Sequence, residues 1–352
     1  MSSGISISVN GSPDKELTQA ITIEIAEKMD QAASFTLKYE LDISGGDLPY
    51  LTDTRFDPGS EITVTVSGNN STECLVKGPV HAQNIHMQHG AGGSWLEVKG
   101  SDTSVKMDRE TRSAVWKDLT DSVAVQSILS TYGYMPDVEN TSAGHFENKH
   151  TLVQRESDLS FIRRLARRNG FHFWITCDAT GTETAHFRRS QLGSTPSAKF
   201  VINLDSPNFL SLDIYWDVER PTSIVGVQLD LNAKSNITLS VPKTPQTGLG
   251  NTDLSAITGD TRSVFLSAPS DDAGDMKSRG EAALIEADWF IRAACKTTLA
   301  EMGSIVRAHS IVELHGAGSR HSGKYLVSGV KHIIDASDHK MEIELVRNAW
   351  GA

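Results

Sequence analysis

The sequence predicts a mainly β protein whose middle region mixes helices and strands. Segments near both ends, such as residues 5–9 and 341–346, alternate apolar and polar residues with the period of a half-buried strand. Between them, residues 152–175 change to helical spacing and then return to strand alternation. A chain of 352 residues is long for one core, so two or three domains are expected.

The N-terminal region, residues 1–110, is predicted to form an antiparallel β-barrel or sandwich. Short alternating segments are separated by clusters of Gly, Pro and Asp, which are typical of turns. The segments with this pattern are residues 5–9, 21–25, 35–39, 62–66 and 95–101. Their polar positions are mostly Ser and Thr, which suits a sheet with one solvated face.

The middle region, residues 111–194, is predicted to be mixed α/β, with a capped helix over residues 158–169. Ser157 is a good N-cap residue, and Asp158 places a carboxylate in the first turn, where the helix dipole favours it. Asn169 and Gly170 supply a C-terminal stop. The apolar side of this helix consists of Leu159, Phe161, Ile162, Leu165 and Ala166.

The C-terminal region, residues 195–352, is predicted to be a second β domain with one helix. Apolar residues recur at helical spacing over residues 277–296, whereas residues 235–260 are rich in Thr, Pro and Gly and are predicted to form an exposed loop. The chain then ends in alternating segments at residues 311–314, 325–330 and 341–346.

Composition excludes several classes of protein. A net charge of −11 argues against general nucleic-acid binding, which favours a basic face. Cys74, Cys177 and Cys295 are far apart and form no CxxC pair, so free buried thiols in a reducing cytosol are expected. The N-terminus lacks a basic, apolar leader, and no apolar run is long enough for a membrane span. Synthesis in the cytoplasm without a signal peptide is therefore expected.

The sequence offers no pattern typical of a catalytic or metal site. His81, His86 and His89 lie close together, but their spacing fits neither HExxH nor a zinc-finger tail. A G-x-S-x-G elbow, a P-loop and a dinucleotide-binding G-x-G-x-x-G are all missing from the sequence. We therefore expect a protein that is not an enzyme, with no catalytic, cofactor-binding or metal-binding residues and no cofactor.

Two groups of residues carry a resemblance to a known family. The first group is a helix signature, and the second is a pair of closing strands. The residues are Glu156, Ser157, Asp158, Phe161, Arg164, Leu165 and Gly170 in the helix segment, and Gly323, Tyr325, Val327 and His332 in the strands. They resemble the signature of tail-hub proteins, namely the phage late-control protein D family and the N-terminal hub part of type VI secretion VgrG proteins. Residues 1–150 share only the general β pattern.

The resemblance implies both an architecture and a function. Two β-barrel domains per chain, with a helix-containing domain between them, would form a pseudo-six-fold ring in a homotrimer. Such a ring is the structural baseplate hub of a contractile phage tail or contractile injection system, where it adapts a six-fold inner tube to a three-fold spike. The implied partners are further copies of the chain, an inner tube protein, a separate spike protein and other baseplate proteins, in a virion tail or injection particle.

The arginine side of the capped helix is predicted to be a subunit interface. Arg163, Arg167 and Arg168 lie opposite the apolar side, and arginine pairs well with carboxylates at interfaces. Nucleic-acid or phosphate binding is the alternative, but no basic run with interleaved aromatic residues accompanies the cluster. Two other functions stay open: a stand-alone β-rich module that binds a receptor or carbohydrate, and a hub fused to a hydrolase. The short remainder after residue 346 argues against the fused hydrolase.

Overall fold

The alternating segments at the N-terminus form paired strands around an apolar core. The computed structural model describes residues 4–42, 49–68, 72–89, 92–148, 151–230, 234–267, 270 and 272–351. Apolar residues at every second position, such as Ile23, Ile25 and Leu37, point into one core. The strands are β1 (Gly4–Val9), β2 (Ser12–Asp14), β3 (Thr22–Lys28), β4 (Ser34–Glu40), β5 (Glu61–Ser67), β6 (Thr72–His86) and β7 (Trp95–Ser101). The N-terminal β unit, as we call it, has the spatial order β1-β5-β6-β7-β4-β3.

The middle region packs two helices against short strands. Its elements are β8 (Thr111–Trp116), β9 (Leu119–Thr120), α1 (Asp121–Tyr132), β10 (Met135–Val138), β11 (Gly144–His145), β12 (Leu152–Ser157), α2 (Asp158–Asn169), β13 (His172–Cys177) and β14 (Glu183–Arg188). Leu129 of α1, Leu165 of α2 and Phe173 of β13 share one core. The predicted capped helix over residues 158–169 is confirmed.

The C-terminal half forms a second unit of paired strands with an insertion. Its elements are β15 (Ala198–Val201), β16 (Leu212–Trp216), β17 (Ser223–Asp230), β18 (Ser235–Val241), β19 (Thr252–Asp253), α3 (Leu254–Thr258), β20 (Ser263–Phe265), α4 (Ala273–Ala287), β21 (Ile291–Thr298), α5 (Leu299–Met302), β22 (Ile311–His315), α6 (Gly318–His321), β23 (Gly323–Asp335), β24 (His339–Arg347) and β25 (Ala349–Trp350). The C-terminal β unit has the order β15-β22-β23-β24-β21-β16. The predicted mainly β class is confirmed.

Two predictions for this half are wrong in part. Residues 235–260 are not a loop throughout, because β18 pairs with β17 and directs Leu239 and Val241 against α4. The helix predicted over residues 277–296 ends at Ala287, and residues 291–298 form β21. In β21 every second residue is buried, and strands flank it on both sides, so sheet pairing overrides the helical spacing.

One strand pairing joins the two β units into a continuous sheet. Strand β3 of the N-terminal β unit pairs antiparallel with β23 of the C-terminal β unit, from Gly329 opposite Lys28 to Asp335 opposite Thr22. The sheet therefore runs without interruption through β7-β4-β3-β23-β24-β21. This junction fixes the two units relative to each other by backbone hydrogen bonds.

The two β units have the same strand order. If the six strands of each unit are numbered along the chain, both units show the spatial order 1-4-5-6-3-2. The fifth strand is long in both units, and its register with the sixth shifts at a matching point, after Val80 in β6 and after Val327 in β23. Ala82 therefore corresponds to Gly329. In both units a lysine of the third strand lies opposite a glutamate of the sixth strand at equivalent positions, Lys38 opposite Glu97 and Lys296 opposite Glu342.

Candidate functional site

The N-terminal end of α2, which carries the first signature, is held by polar contacts. Ser157 Oγ accepts a hydrogen bond from the backbone amide of Ser160 at 3.2 Å. The Asp158 carboxylate is buried, accepts a hydrogen bond from Tyr132 Oη at 2.7 Å and pairs with Arg112 at 2.9 Å. Since Tyr132 ends α1 and Arg112 lies on β8, these contacts fix the start of α2 against both elements.

Arg164 links α2 to the preceding strand. Its Nε lies 2.6 Å from a Glu156 carboxylate oxygen, and its Nη2 donates to the Val153 carbonyl at 2.9 Å. The guanidinium also lies 5.1 Å from the centre of the Phe161 ring. The charged members of the signature thus brace the strand-to-helix turn.

The apolar signature residues are core residues. Phe161 and Leu165 are fully buried, and the Phe161 ring stacks on Trp116 with 6.1 Å between ring centres. Gly170 ends the helix with a φ of 66°, and a Cβ there would lie 2.8 Å from Ile285 of α4. Glycine is therefore required at this position both for the left-handed conformation and for the close approach of α4.

Arg168 lies inside the chain, which corrects its prediction as a subunit-interface residue. Its side chain is only 7% exposed. Its Nη2 lies 2.7 Å from Asp275 of α4, and its Nε lies 3.2 Å from Asp121 of α1. These partners could not be predicted from the sequence, because they lie far from Arg168 along the chain. For Arg163, which is half-buried, and Arg167, which is exposed, the interface role stays a prediction.

The second signature lies at the centre of the C-terminal β unit. Tyr325 and Val327 are fully buried, and Tyr325 Oη donates to the His321 carbonyl at 2.8 Å. Gly323 begins β23 with a φ of 124°, which favours glycine. His332 is buried opposite Ile25, so this signature residue lies on the strand that joins the two units.

The cysteine prediction is wrong for two of the three residues. Cys74 of β6 and Cys177 of β13 form a disulfide with a Cα–Cα distance of 5.5 Å. The two residues are 103 positions apart, so only the pairing of β6 with β13 brings them together. Cys295 is a free buried thiol, as predicted, and burial raises its pKa to about 12.

A stack of aromatic rings lies between the middle region and the C-terminal β unit, and no sequence pattern predicts it. The Trp174 ring lies between His186 and His309, with ring-centre distances of 4.6 and 3.8 Å. Burial, and to a smaller extent the neighbouring His172, holds the pKa of His309 well below its ordinary value. The His309 ring that stacks on Trp174 is therefore a neutral imidazole at neutral pH.

An open cavity of about 390 Å³ lies where β3, α2 and α4 meet. It is lined by aromatic side chains, including Trp289, and by charged groups of both signs. His172 pairs with Asp30 at 3.0 Å, but no described hydroxyl or thiol donates a hydrogen bond to this histidine. Within the described residues, no group of three potential metal ligands is present.

Two strand edges are exposed and apolar. Strand β16 pairs with β21 on one side only, and within the described chain its other edge has no strand partner. It carries Tyr215 and Trp216, which are 65% and 45% exposed. The C-terminal half of β6 pairs with β7 but has a second edge that no described strand covers, near the exposed residues Ile85 and Met87. These free edges are the candidate assembly surfaces of the chain.

Sequence comparison assigns the family. The profile of the Alg8 N-terminal domain family matches residues 2–336. The chain belongs to the Alg8 N-terminal domain family. Among curated proteins, none has a sequence that matches this family member.

Solved structures with the fold of this Alg8 N-terminal domain include phage-type tail proteins. A tail protein from Neisseria meningitidis MC58 has a TM-score of 0.67 and 14% identity, with 99% of this chain and 97% of that chain covered. The 43 kDa tail protein of prophage MuSo2 from Shewanella oneidensis also has a TM-score of 0.67 and 14% identity, with 99% of each chain covered.

The fold is also shared with a secretion component. An E. coli component of the type VI secretion system, which resembles the T4 tail proteins gp27 and gp5, has a TM-score of 0.61 and 13% identity, with 98% of this chain and 78% of that chain covered. At these identities the comparison shows a common fold. Within the described residues of this Alg8 N-terminal domain, no helix is both long and apolar enough to cross a membrane.

Proposed function

We propose that this chain is the structural hub of a contractile phage tail or contractile injection system. In this role it joins a six-fold inner tube to a three-fold spike. The proposal is supported by the fold, which is shared with tail proteins and a type VI secretion component. It assigns the chain to the late-control protein D and VgrG hub group and requires no catalytic residue.

The observation that carries the proposal is the common strand order of the two β units. Three copies of a chain with two similar units present six similar units around one axis, which matches a six-fold tube. The same three copies present one three-fold surface to a spike. Closed cyclic assemblies are the usual way in which identical chains saturate their interfaces. We therefore propose a homotrimeric ring of two β-barrel domains per chain.

The proposed domain boundaries are residues 1–110, 111–194 and 195–352. Separate apolar clusters in the N-terminal β unit, the middle region and the C-terminal β unit support this division. The proposed partners are an inner tube protein, a separate spike protein and other baseplate proteins, within a virion tail or an injection particle. Arg163 and Arg167 remain proposed interface residues.

Native mass spectrometry of the purified chain, together with electron microscopy of the assembled particle, tests this proposal. We expect three copies per particle and a ring with six lobes. Six copies per particle, or a ring built from only one of the two β units, would contradict it. A particle in which the chain lies on a fibre or receptor-binding tip would instead favour the alternative, a binding module for a receptor or carbohydrate.

A further inference from the structure

The junction between the two β units shows how two such units fit together. Ile25 of β3 lies opposite His332 of β23, and Ile23 lies opposite Ile334. All four side chains are at most 2% exposed, and Ile23, Ile25 and Ile334 belong to the core of the N-terminal β unit, so the pairing buries the edge of that unit at this point. The chain uses the edge of a second strand in one unit and the edge of a fifth strand in the other.

The same two kinds of edge are left free elsewhere in the chain. Strand β16 is the second strand of the C-terminal β unit, and the strand registers make Leu212 and Ile214 equivalent to Ile23 and Ile25. Strand β6 is the fifth strand of the N-terminal β unit, and counting from the register shift makes Ile85 equivalent to His332. The free edges of β16 and β6 are thus equivalent to the two edges that pair with each other in the internal junction.

The apolar residues at the free edge of β6 are exposed, which indicates that a strand covering this edge is missing in a single copy of the chain. Ile85 lies opposite the core residue Leu96 and so points to the core side, yet it is 42% exposed. Met87, the equivalent of Ile334, is 52% exposed. Their counterparts in the internal junction are buried because a neighbouring strand covers them. Strand β16 carries the half-buried Leu212 and Ile214 at the positions equivalent to Ile23 and Ile25 of the internal junction.

Charges on the other face of the sheet are also complementary. In the internal junction, Lys28 reaches across Gly329 to Glu344, with 2.9 Å between the charged atoms. The equivalent positions at the free edges are Asp217 beyond β16 and Lys99 beside Ala82. The acid and the base have exchanged places, but Asp217 would still face Lys99 across the small residue Ala82.

We infer that the free edge of β16 in one copy pairs antiparallel with residues 82–87 of the next copy, which are the end of β6 and the residue that follows it. The register places Ile85 opposite Ile214 and Met87 opposite Leu212, as dictated by the internal junction. The partner is a second copy of this chain, and the inference rests on the proposed trimeric function. Applied three times, the pairing continues one sheet around the whole ring, with three internal and three intermolecular junctions alternating.

Cysteine cross-linking tests the register. Directly opposite residues of antiparallel strands have Cα atoms about 4.5–5.5 Å apart, within the Cα–Cα range of about 4.4–6.8 Å that a disulfide spans. We expect the Ile85→Cys, Ile214→Cys double variant to form covalent trimers on mild oxidation, seen on a non-reducing gel. The His86→Cys, Asp213→Cys pair, on the opposite face of the sheet, should do the same and does not alter the apolar contacts.

The matched control combines Ile85→Cys with Asp213→Cys. These positions differ by one residue in register, and their side chains point to opposite faces, so this variant should not cross-link. Wild type, with its buried Cys295, gives the background. If native mass spectrometry shows a trimer but neither matched pair cross-links, the inference is wrong while the proposed function survives. If the particle does not contain three copies, the proposed function itself fails.

A charge exchange tests the same interface independently. Lys99→Glu places two acids across Ala82 and should weaken trimer formation, by about two- to fivefold at each interface, the range for an exposed ion pair. Adding Asp217→Lys should restore assembly towards the wild-type level. Equal assembly of both single variants and the double variant would overturn the proposed facing of these two residues.

Discussion

Replacing Arg168 with methionine should strongly destabilise the folded chain. The arginine lies between Asp121 and Asp275, whose side chains are 0% and 2% exposed, and so bridges α1, α2 and α4. Removing one partner of a buried ion pair typically costs about 3–5 kcal/mol, because a charge is left buried and unpaired. Asp275 keeps Arg279 at 2.9 Å, so we expect the lower end, about 3 kcal/mol. Methionine retains most of the apolar stem and isolates the effect of the charge.

Urea unfolding followed by tryptophan fluorescence measures this loss. Arg167→Met is the matched control, because Arg167 is the preceding residue of the same helix but is exposed, and its replacement should change the free energy of unfolding by no more than about 0.5 kcal/mol. Arg168→Lys should fall between the two, since a lysine keeps the charge but lacks the planar fork that contacts both acids. Equal unfolding midpoints for Arg167→Met and Arg168→Met would refute the assignment of Arg168 as an internal bridge.

Three further predictions concern burial, the disulfide and pH. Phe161→Ala should cost about 3–5 kcal/mol, because the ring is fully buried; an unchanged melting temperature would contradict its core position. The Cys74→Ser, Cys177→Ser double variant should lose about 2–4 kcal/mol relative to the oxidised chain, measured by denaturant unfolding, because the link constrains a long loop of the unfolded state; equal stability of wild type with and without reductant would argue against the bond. Burial raises the pKa of Asp288 to about 7, although the hydrogen bond from Asn348 lowers this pKa in part. Its folded pKa lies above its unfolded value, so this stabilising term is present in acid and is lost as pH rises through about 7. Between about pH 5 and about pH 8 the loss should be about 3 kcal/mol, and Asp288→Asn should remove that slope from the pH dependence of the unfolding midpoint.

The parts of the fold that depend on local chemistry could be predicted from the sequence. The helix over residues 158–169 has its cap, its apolar spacing and its stop within one segment, and the structure follows all three. The strands at both ends follow from alternation in the same way. Local signals of this kind need no knowledge of distant partners.

Features that depend on distant partners could not be predicted. The bond between Cys74 and Cys177 requires the contact of β6 with β13, and the burial of Arg168 requires Asp275 of α4. The change from helix to strand after Ala287 has the same origin. Residues 291–296 fit a helical face and a strand face equally well, and only the neighbouring strands on both sides decide between them.

The similarity of the two β units is visible in the strand pairing but could not be predicted from the sequence. A strand needs only an alternation of apolar and polar residues, so two units can keep one strand order with little identity; here the equivalent Lys–Glu pairs at Lys38 and Lys296 are among the few matches. The registers of the second, third, fifth and sixth strands nevertheless align the units residue by residue, whereas the first strand runs antiparallel to the fourth in the N-terminal β unit and parallel to it in the C-terminal β unit. That alignment explains why β16 carries exposed Tyr215 and Trp216 at an open edge, where monomeric proteins usually place charges, proline or a covering loop. The internal junction shows the same kind of edge covered and buried. In the proposed ring, a second copy would cover the free edge with the same kind of contact.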